Sequence, residues 1–210
     1  MGLRRIASAG SAAATLALAL TVSGYALAKP PEHRQQAETL TGRFLVATPA
    51  MNDPRFVRTV IYMVRHDAHG ALGLIVNRPF QDVPISLLLA RLGQAHEGVA
   101  GSMRIHYGGP VDPQRFFVLH SAEYRGDGTE VLQGGIAVTA RPGILRAIGA
   151  GTGPRQARLI LSYSGWGAGQ LEREIRAGAW VAVPASAALA FDDDYDTKWQ
   201  RALALWSTDL

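Results

Sequence analysis

Residues 40–210 predict an α+β fold: one compact domain with a mainly antiparallel β-sheet flanked by helices. Three observations carry this. Short apolar strands alternate with helical segments along the chain. The first two long strands close a hairpin instead of flanking a helix, which separates the pattern from a doubly wound parallel sheet. No linker divides residues 40–210, and no repeat of fixed period interrupts them.

The elements follow in order. Residues 42–48 (GRFLVAT) read as a strand. In DPRF, Asp53 is placed as an N-cap with Pro54 at the first helical position, so a short turn follows. Residues 58–64 and 72–77 are two apolar strands, joined through RHDAHGA, where Gly70 supports a hairpin. Pro79 is expected to end the second of them. VPISLLLARLG (83–93) is a helix that starts at Pro84 and stops at Gly93. Strands follow at 103–110, 115–121 and 136–140, with a polar loop over 122–135. Residues 141–151 form a helix, 157–164 a strand, 169–178 a helix and 179–185 a strand. The last helix, 196–206, places Trp199, Leu203 and Trp206 on one face.

The first residues have a different character. Arg4 and Arg5 precede an uncharged apolar run, Ala12 to Val22, and Ala26-x-Ala28 fits a small-residue cleavage site. Residues 1–28 are therefore expected to be a secretory signal peptide cleaved after Ala28, and 29–39 a flexible linker. The apolar run is shorter than the ~20 residues a spanning helix needs, so no transmembrane segment is expected in the mature chain. The competing reading is an uncleaved extension or an upstream start codon. Ile6-Ala7-Ser8 after the arginine pair matches a twin-arginine signal poorly.

Cleavage also sets the charge. The chain has 21 basic and 17 acidic residues; losing Arg4 and Arg5 leaves 19, a net +2. That is too small to argue for nucleic acid or an anionic membrane. With no cysteine, a disulfide framework, a Cys nucleophile and Cys-ligated zinc are excluded.

Three blocks resemble the YqgE/AlgH family. FLVATPAMNDPRFVRTVIYMVRHDAHGALGLIVNRP (44–79) carries Asp53, Pro54, Asn77, Arg78 and Pro79 at matching places. YGGPVDPQRFFVLHS (107–121) carries Gly108, Gly109 and Pro110, with Phe116 where a glycine often stands. YSGWGAGQLEREIRAGAWVAVPA (163–185) matches most closely, through Gly165, Trp166, Gly167, Gly169, Gln170, Leu171, Glu172 and Trp180. KWQRALALW (198–206) fits the family's last helix, while STDL departs from its usual end. The resemblance implies a compact α+β fold with coiled, mostly antiparallel sheets and no established catalytic residues. It also implies an activity described as unknown, in one branch tied by name to regulation of exopolysaccharide genes. Members usually lack an export signal, so residues 1–39 are a departure. A cytoplasmic regulator is the alternative to an exported binding module.

The candidate chemistry is weak throughout. G-x-G-x-G at Gly165, Gly167 and Gly169 lacks Rossmann spacing, and Gln170-Leu171 stands where a P-loop needs Lys-Ser/Thr. Glu172 and Glu174 at the helix start would repel phosphate. The glycines are expected to permit a sharp strand-to-helix turn, with Trp166 folded back on the core. Ser164 lacks the G-x-S-x-G frame of a nucleophile elbow, because Ser162 takes the first glycine's place. His66, Asp67 and His69 could begin a metal or hydrolase site, with His106 and His120 as further ligands, but the plain reading is a solvated turn. FDDDYD (191–196) lacks a Ca²⁺-loop pattern and reads as a solvated loop whose Asp194 or Asp196 caps the last helix. Arg55, Arg58, Arg65, Arg78 and Arg91 make no stripe; Arg58 and Arg65 are expected on opposite faces of one strand. The expectation is a non-catalytic module with no cofactor and no metal, whose partner is a protein or small ligand and not nucleic acid.

Overall fold

The structure, a computed structural model, describes residues 39–208. The expected signal peptide, its cleavage site and residues 29–38 of the linker lie outside these residues. The described residues all belong to one compact unit.

Ten strands and five helices are found among the described residues. In chain order they are β1 (Arg43–Ala47), β2 (Val60–Asp67), β3 (Gly70–Ile75), β4 (Pro79–Pro84), α1 (Ile85–Arg91), β5 (Ser102–Tyr107) and β6 (Val111–Ser121). Then come β7 (Thr129–Val131), β8 (Ile136–Thr139), α2 (Gly143–Gly149), β9 (Ala157–Gly167), α3 (Gln170–Arg176), β10 (Trp180–Pro184), α4 (Ala187–Phe191) and α5 (Tyr195–Thr208). The sheet runs β10-β1-β2-β3-β9-β6-β8-β7, with β5 on β9 and β4 on β5. Every pairing is antiparallel except β5 with β9. The fold is the expected α+β one, with a curled sheet.

The eleven-residue β9 makes the curl possible. Its first half lies between β5 and β6, and its second half pairs with β3. One strand therefore belongs to two differently oriented patches of sheet. The hairpin of β2 and β3 turns through Ala68 and His69, with the Asp67 carboxylate accepting the His69 amide at 2.7 Å. This is the local bond that makes Asp a turn former.

Curling gives three apolar layers. The interior holds Phe44, Tyr62, Leu74, Phe117, Leu119 and Ile160, closed by α4 and α5 through Leu189, Phe191 and Ala202. A second layer lies under α1 and α2, with Leu88, Leu89, Ile144 and Leu145 on Ile105, Val118 and Leu159. In the third, Leu171 of α3 with Trp166 and Trp180 covers Leu45, Ile61 and Ile75. Neighbouring residues of one strand, such as Phe117 and Val118, serve different layers, which is the period-2 alternation of a strand buried on both faces.

Several expectations are corrected. Pro79 does not end β3, which stops at Ile75; it opens β4. β4 pairs only with β5, so a residue without an N–H is tolerated there. The 122–135 loop contains β7, and α4 was not foreseen; the Ser186 hydroxyl caps it by accepting the Leu189 amide at 3.3 Å. Arg58 lies before β2 with φ 56°, so it shares no strand with Arg65. In α5, Trp199 and Leu203 pack on the interior, but Trp206 is not among the residues of that cluster and is 41% exposed. Gly165 and Gly167 are strand residues of β9, not turn residues. The turn into α3 is made by Gly169 alone, whose φ of 68° is one that L side chains rarely adopt.

Candidate functional site

Many of the family-motif residues bond or pack within the fold. Asn77 accepts the Val60 amide at 2.9 Å and donates to the Arg58 carbonyl at 2.8 Å. Arg78 donates to the carbonyls of Arg55 (2.7 Å) and Val57 (3.1 Å). Its charge thus sits on the carbonyl end of the turn that Asp53 and Pro54 begin, where Asp53 accepts the Arg55 amide at 2.9 Å. At the same end of β3, Gly108 donates to the Leu161 carbonyl (2.8 Å), and its own carbonyl accepts from Ile75 (3.2 Å) and the Ser164 hydroxyl (3.0 Å). A Cβ on Gly109 would collide with Ser164, which fixes Gly109-Pro110 against β9. Ser164 is fully buried in this role and has no base beside it among the described residues.

The GWGAGQLE segment is a hydrogen-bonded knot. The Glu174 carboxylate accepts both indole N–H groups, Trp166 at 2.9 Å and Trp180 at 2.8 Å, and the Gln170 amide at 2.9 Å. Gln170 also accepts the Gly167 amide at 3.1 Å. Trp166 lies between Phe56 and Trp180, with ring centroids 6.5 and 6.0 Å away. Trp166 does pack on the core as expected, but from a strand. Glu174 faces the indoles and Glu172 faces His66, so neither carboxylate is free for a ligand.

The buried His66 accepts the Leu40 amide at Nδ1 (3.1 Å), so Nε2 carries the proton and donates to Glu172 at 3.1 Å. Glu172 is held below the usual carboxylate range, first by its own backbone amide at the helix start and then by His66. Asp67 and His69 stay in the exposed turn. His120 has its own partners, the Ser121 carbonyl and the Thr139 hydroxyl. The histidines do not converge, and among the described residues no three His, Asp or Glu side chains are placed to hold a metal.

A titratable cluster lies elsewhere. Tyr195 donates to Asp193 at 3.0 Å and therefore accepts from His106 Nε2, also at 3.0 Å. Arg158 donates to Asp193 at 2.8 Å and to the Phe191 carbonyl. Burial, then the nearby Arg158 charge, pushes His106 down to about 4; burial pushes Tyr195 up to about 12. Lys198, 0% exposed and lowered by burial, donates to the Leu189 and Asp192 carbonyls at 2.7 and 2.8 Å and pairs with the Asp192 carboxylate at 3.0 Å. FDDDYD is therefore an exposed loop, as expected, whose Asp192 and Asp193 also anchor a charge network. Asp194 does cap α5, accepting the Thr197 amide at 3.1 Å.

On the opposite face of β5 and β9 is an apolar cleft of about 440 Å³. Ile105, Leu159 and Leu161 form its floor, Val83, Leu87 and Leu88 one wall, and Pro113 and Phe116 the other. Its polar lining side chains are Gln81, Gln114 and Arg91. The second wall is strained. Between the pairs Val111–Tyr163 and Phe116–Leu161, four residues of β6 face only Ser162. Asp112 (φ 50°) and Ser162 (φ 63°) both adopt left-handed backbone there. Such strain costs on the order of 1–3 kcal/mol per residue and concentrates at ligand clamps and active sites. The cleft has no local motif, because its residues come from β4, α1, β5, β6, α2 and β9. One signal was available in LLL (87–89): Leu88 and Leu89 fill the face toward the core, which leaves Leu87 45% exposed at the rim.

The model of the AlgH-like family matches residues 44–210. The chain belongs to the AlgH-like family. Within it, a UPF0301 protein of Methylobacterium nodulans is 46% identical over 181 residues, covering 82% of this chain and 86% of the relative. One of Rhodospirillum rubrum is 39% identical over 170 residues, covering 81% and 88%. The solution structure of the AlgH protein from Pseudomonas aeruginosa has a TM-score of 0.68 at 37% identity, covering 81% of this chain and 90% of that one. A crystal structure of a Corynebacterium diphtheriae protein shares the fold at TM-score 0.53 and 23% identity. AlgH-like membership accounts for the motif blocks. No helix of the described residues is long and apolar enough to cross a membrane.

Proposed function

We propose that the chain is a non-catalytic binding module and that the apolar cleft is its binding site. The lining of the cleft supports this reading most directly. Ligand sites are concave, of roughly 300–1,000 Å³, and mostly apolar with a few polar groups. This cleft fits that description, and its polar side chains, two amides and a guanidinium, offer neither a nucleophile nor a proton-transfer group. A neutral single-chain probe, decanol, tests it. Leu87 is 45% exposed, so Leu87→Asp should lower the unfolding midpoint only modestly while placing a charge in the wall. Decanol affinity should fall by about tenfold, the loss of roughly one buried side chain's transfer energy. Equal affinity in both proteins, or no binding, contradicts the proposal.

Export belongs to the same proposal, on the strength of Arg4-Arg5, the apolar run and Ala26-x-Ala28. N-terminal sequencing after cell fractionation is the test. A chain starting at Lys29 outside the cytoplasm agrees with export; an intact Met1 in the cytoplasm favours the regulator instead.

A further inference from the structure

The cleft is apolar at its floor and charged at a single point. Of its lining side chains only Arg91 carries a charge. Arg91 stands in the last turn of α1, where a cation often serves the exposed carbonyls. Here that task is already done. The amides of Leu92, Gly93 and Gln94 take the carbonyls of Leu88, Leu89 and Ala90. Other arginines of the chain are engaged: Arg55 on Asp53, Arg104 on Asp82, Arg146 on Gln94, Arg158 on Asp193 and Arg201 on Asp192. Among the described residues the Arg91 side chain has neither an ion pair nor a hydrogen bond. A guanidinium in that state, at the mouth of an aliphatic groove, complements an anion whose body is apolar.

We propose that the cleft takes an apolar carboxylate, a single hydrocarbon chain lying on Ile105, Leu159 and Leu161 with its anionic head on Arg91. This rests on the reading of the cleft as the binding site. Size agrees: at roughly 30 Å³ of liquid volume per heavy atom, about 440 Å³ holds about fifteen heavy atoms. A medium-length acyl chain with its carboxylate is on that scale. A peptide segment is a poorer match, because its backbone amides would meet mainly aliphatic walls and lose their hydrogen bonds. The Gln81 and Gln114 amides can accept or donate, so they do not discriminate by charge.

The test compares three probes of equal length, decanoate, decanol and decylammonium, on the full-length protein and on Arg91→Gln and Arg91→Lys. Arg91 is exposed, so neither substitution threatens the fold. At low ionic strength decanoate should bind up to about fivefold more tightly than decanol, the scale of an exposed ion pair, and decylammonium more weakly than both. The preference should vanish in Arg91→Gln, survive in Arg91→Lys and shrink with added salt. If decanol and decanoate bind equally, or the preference persists in Arg91→Gln, the anionic head is wrong while the cleft reading stands. If none of the three binds, both fall.

Discussion

Glu174 shows how little a residue's local sequence says about its task. From the sequence it is an acid near a helix start, placed there to complement the helix dipole. In the structure it is the common acceptor of two indoles that are nearly buried. The sequence does mark Trp166, Gln170 and Trp180 as important, but the convergence depends on β9, α3 and β10 meeting, which no spacing rule encodes. Glu174→Ala leaves two buried N–H donors without an acceptor, each costing about 1–3 kcal/mol. Denaturant unfolding should therefore show a loss on the order of 3 kcal/mol, with the tryptophan emission of the folded state altered. A loss within experimental error would show that water replaces the carboxylate without cost.

At the scale of elements, the N-terminal end of α5 depends on a histidine that must stay neutral. His106 donates to Tyr195 beside the cations Arg158 and Lys198, and its pKa lies near 4 against about 6.5 in an unfolded chain. The folded value is depressed, so the stability it contributes is complete above about 6.5. It is lost as pH falls toward 4, where the unfolded chain takes up the proton first. The loss over that window is about 3 kcal/mol. His120, lowered mainly by burial, acts in the same direction, and the lowered carboxylates Glu123, Glu172, Asp193 and Asp194 add to the loss mainly at the acid end of the window. Unfolding measured between pH 7 and 4 should thus be markedly flatter in His106→Gln. An unchanged slope would mean that the imidazole is not neutral in the fold. The helix itself was legible from Trp199 and Leu203 at a spacing of four. Its anchor was not, because His106 and Tyr195 are 89 residues apart and meet only through the curl of the sheet.

For the whole molecule, the α+β class and the mainly antiparallel sheet were legible from alternating patterns and turn residues, which are local. The curl came only from the resemblance, since β9's service to two sheet patches follows from long-range pairing. The cleft was illegible for the same reason. Its walls are ordinary aliphatic residues from six elements, each also a plausible core residue, and only assembly leaves them open. That placement also decides what the motif blocks mean. None of Asn77-Arg78-Pro79, Gly108-Gly109-Pro110 and Gly165 to Glu172 lines the cleft, and their hydrogen bonds and packing hold backbone and core together.

The central claim is that the fold serves a binding cleft between α1 and the β6 bulge. It is tested most directly by following backbone amide resonances of the ¹⁵N-labelled protein through a decanol titration. Saturable shifts confined to β4, α1, residues 111–116 and the adjoining parts of β5 and β9 are the predicted result. Saturable shifts centred instead on His106, Tyr195 and Lys198, or no saturable shift up to the solubility limit of the probe, would contradict it.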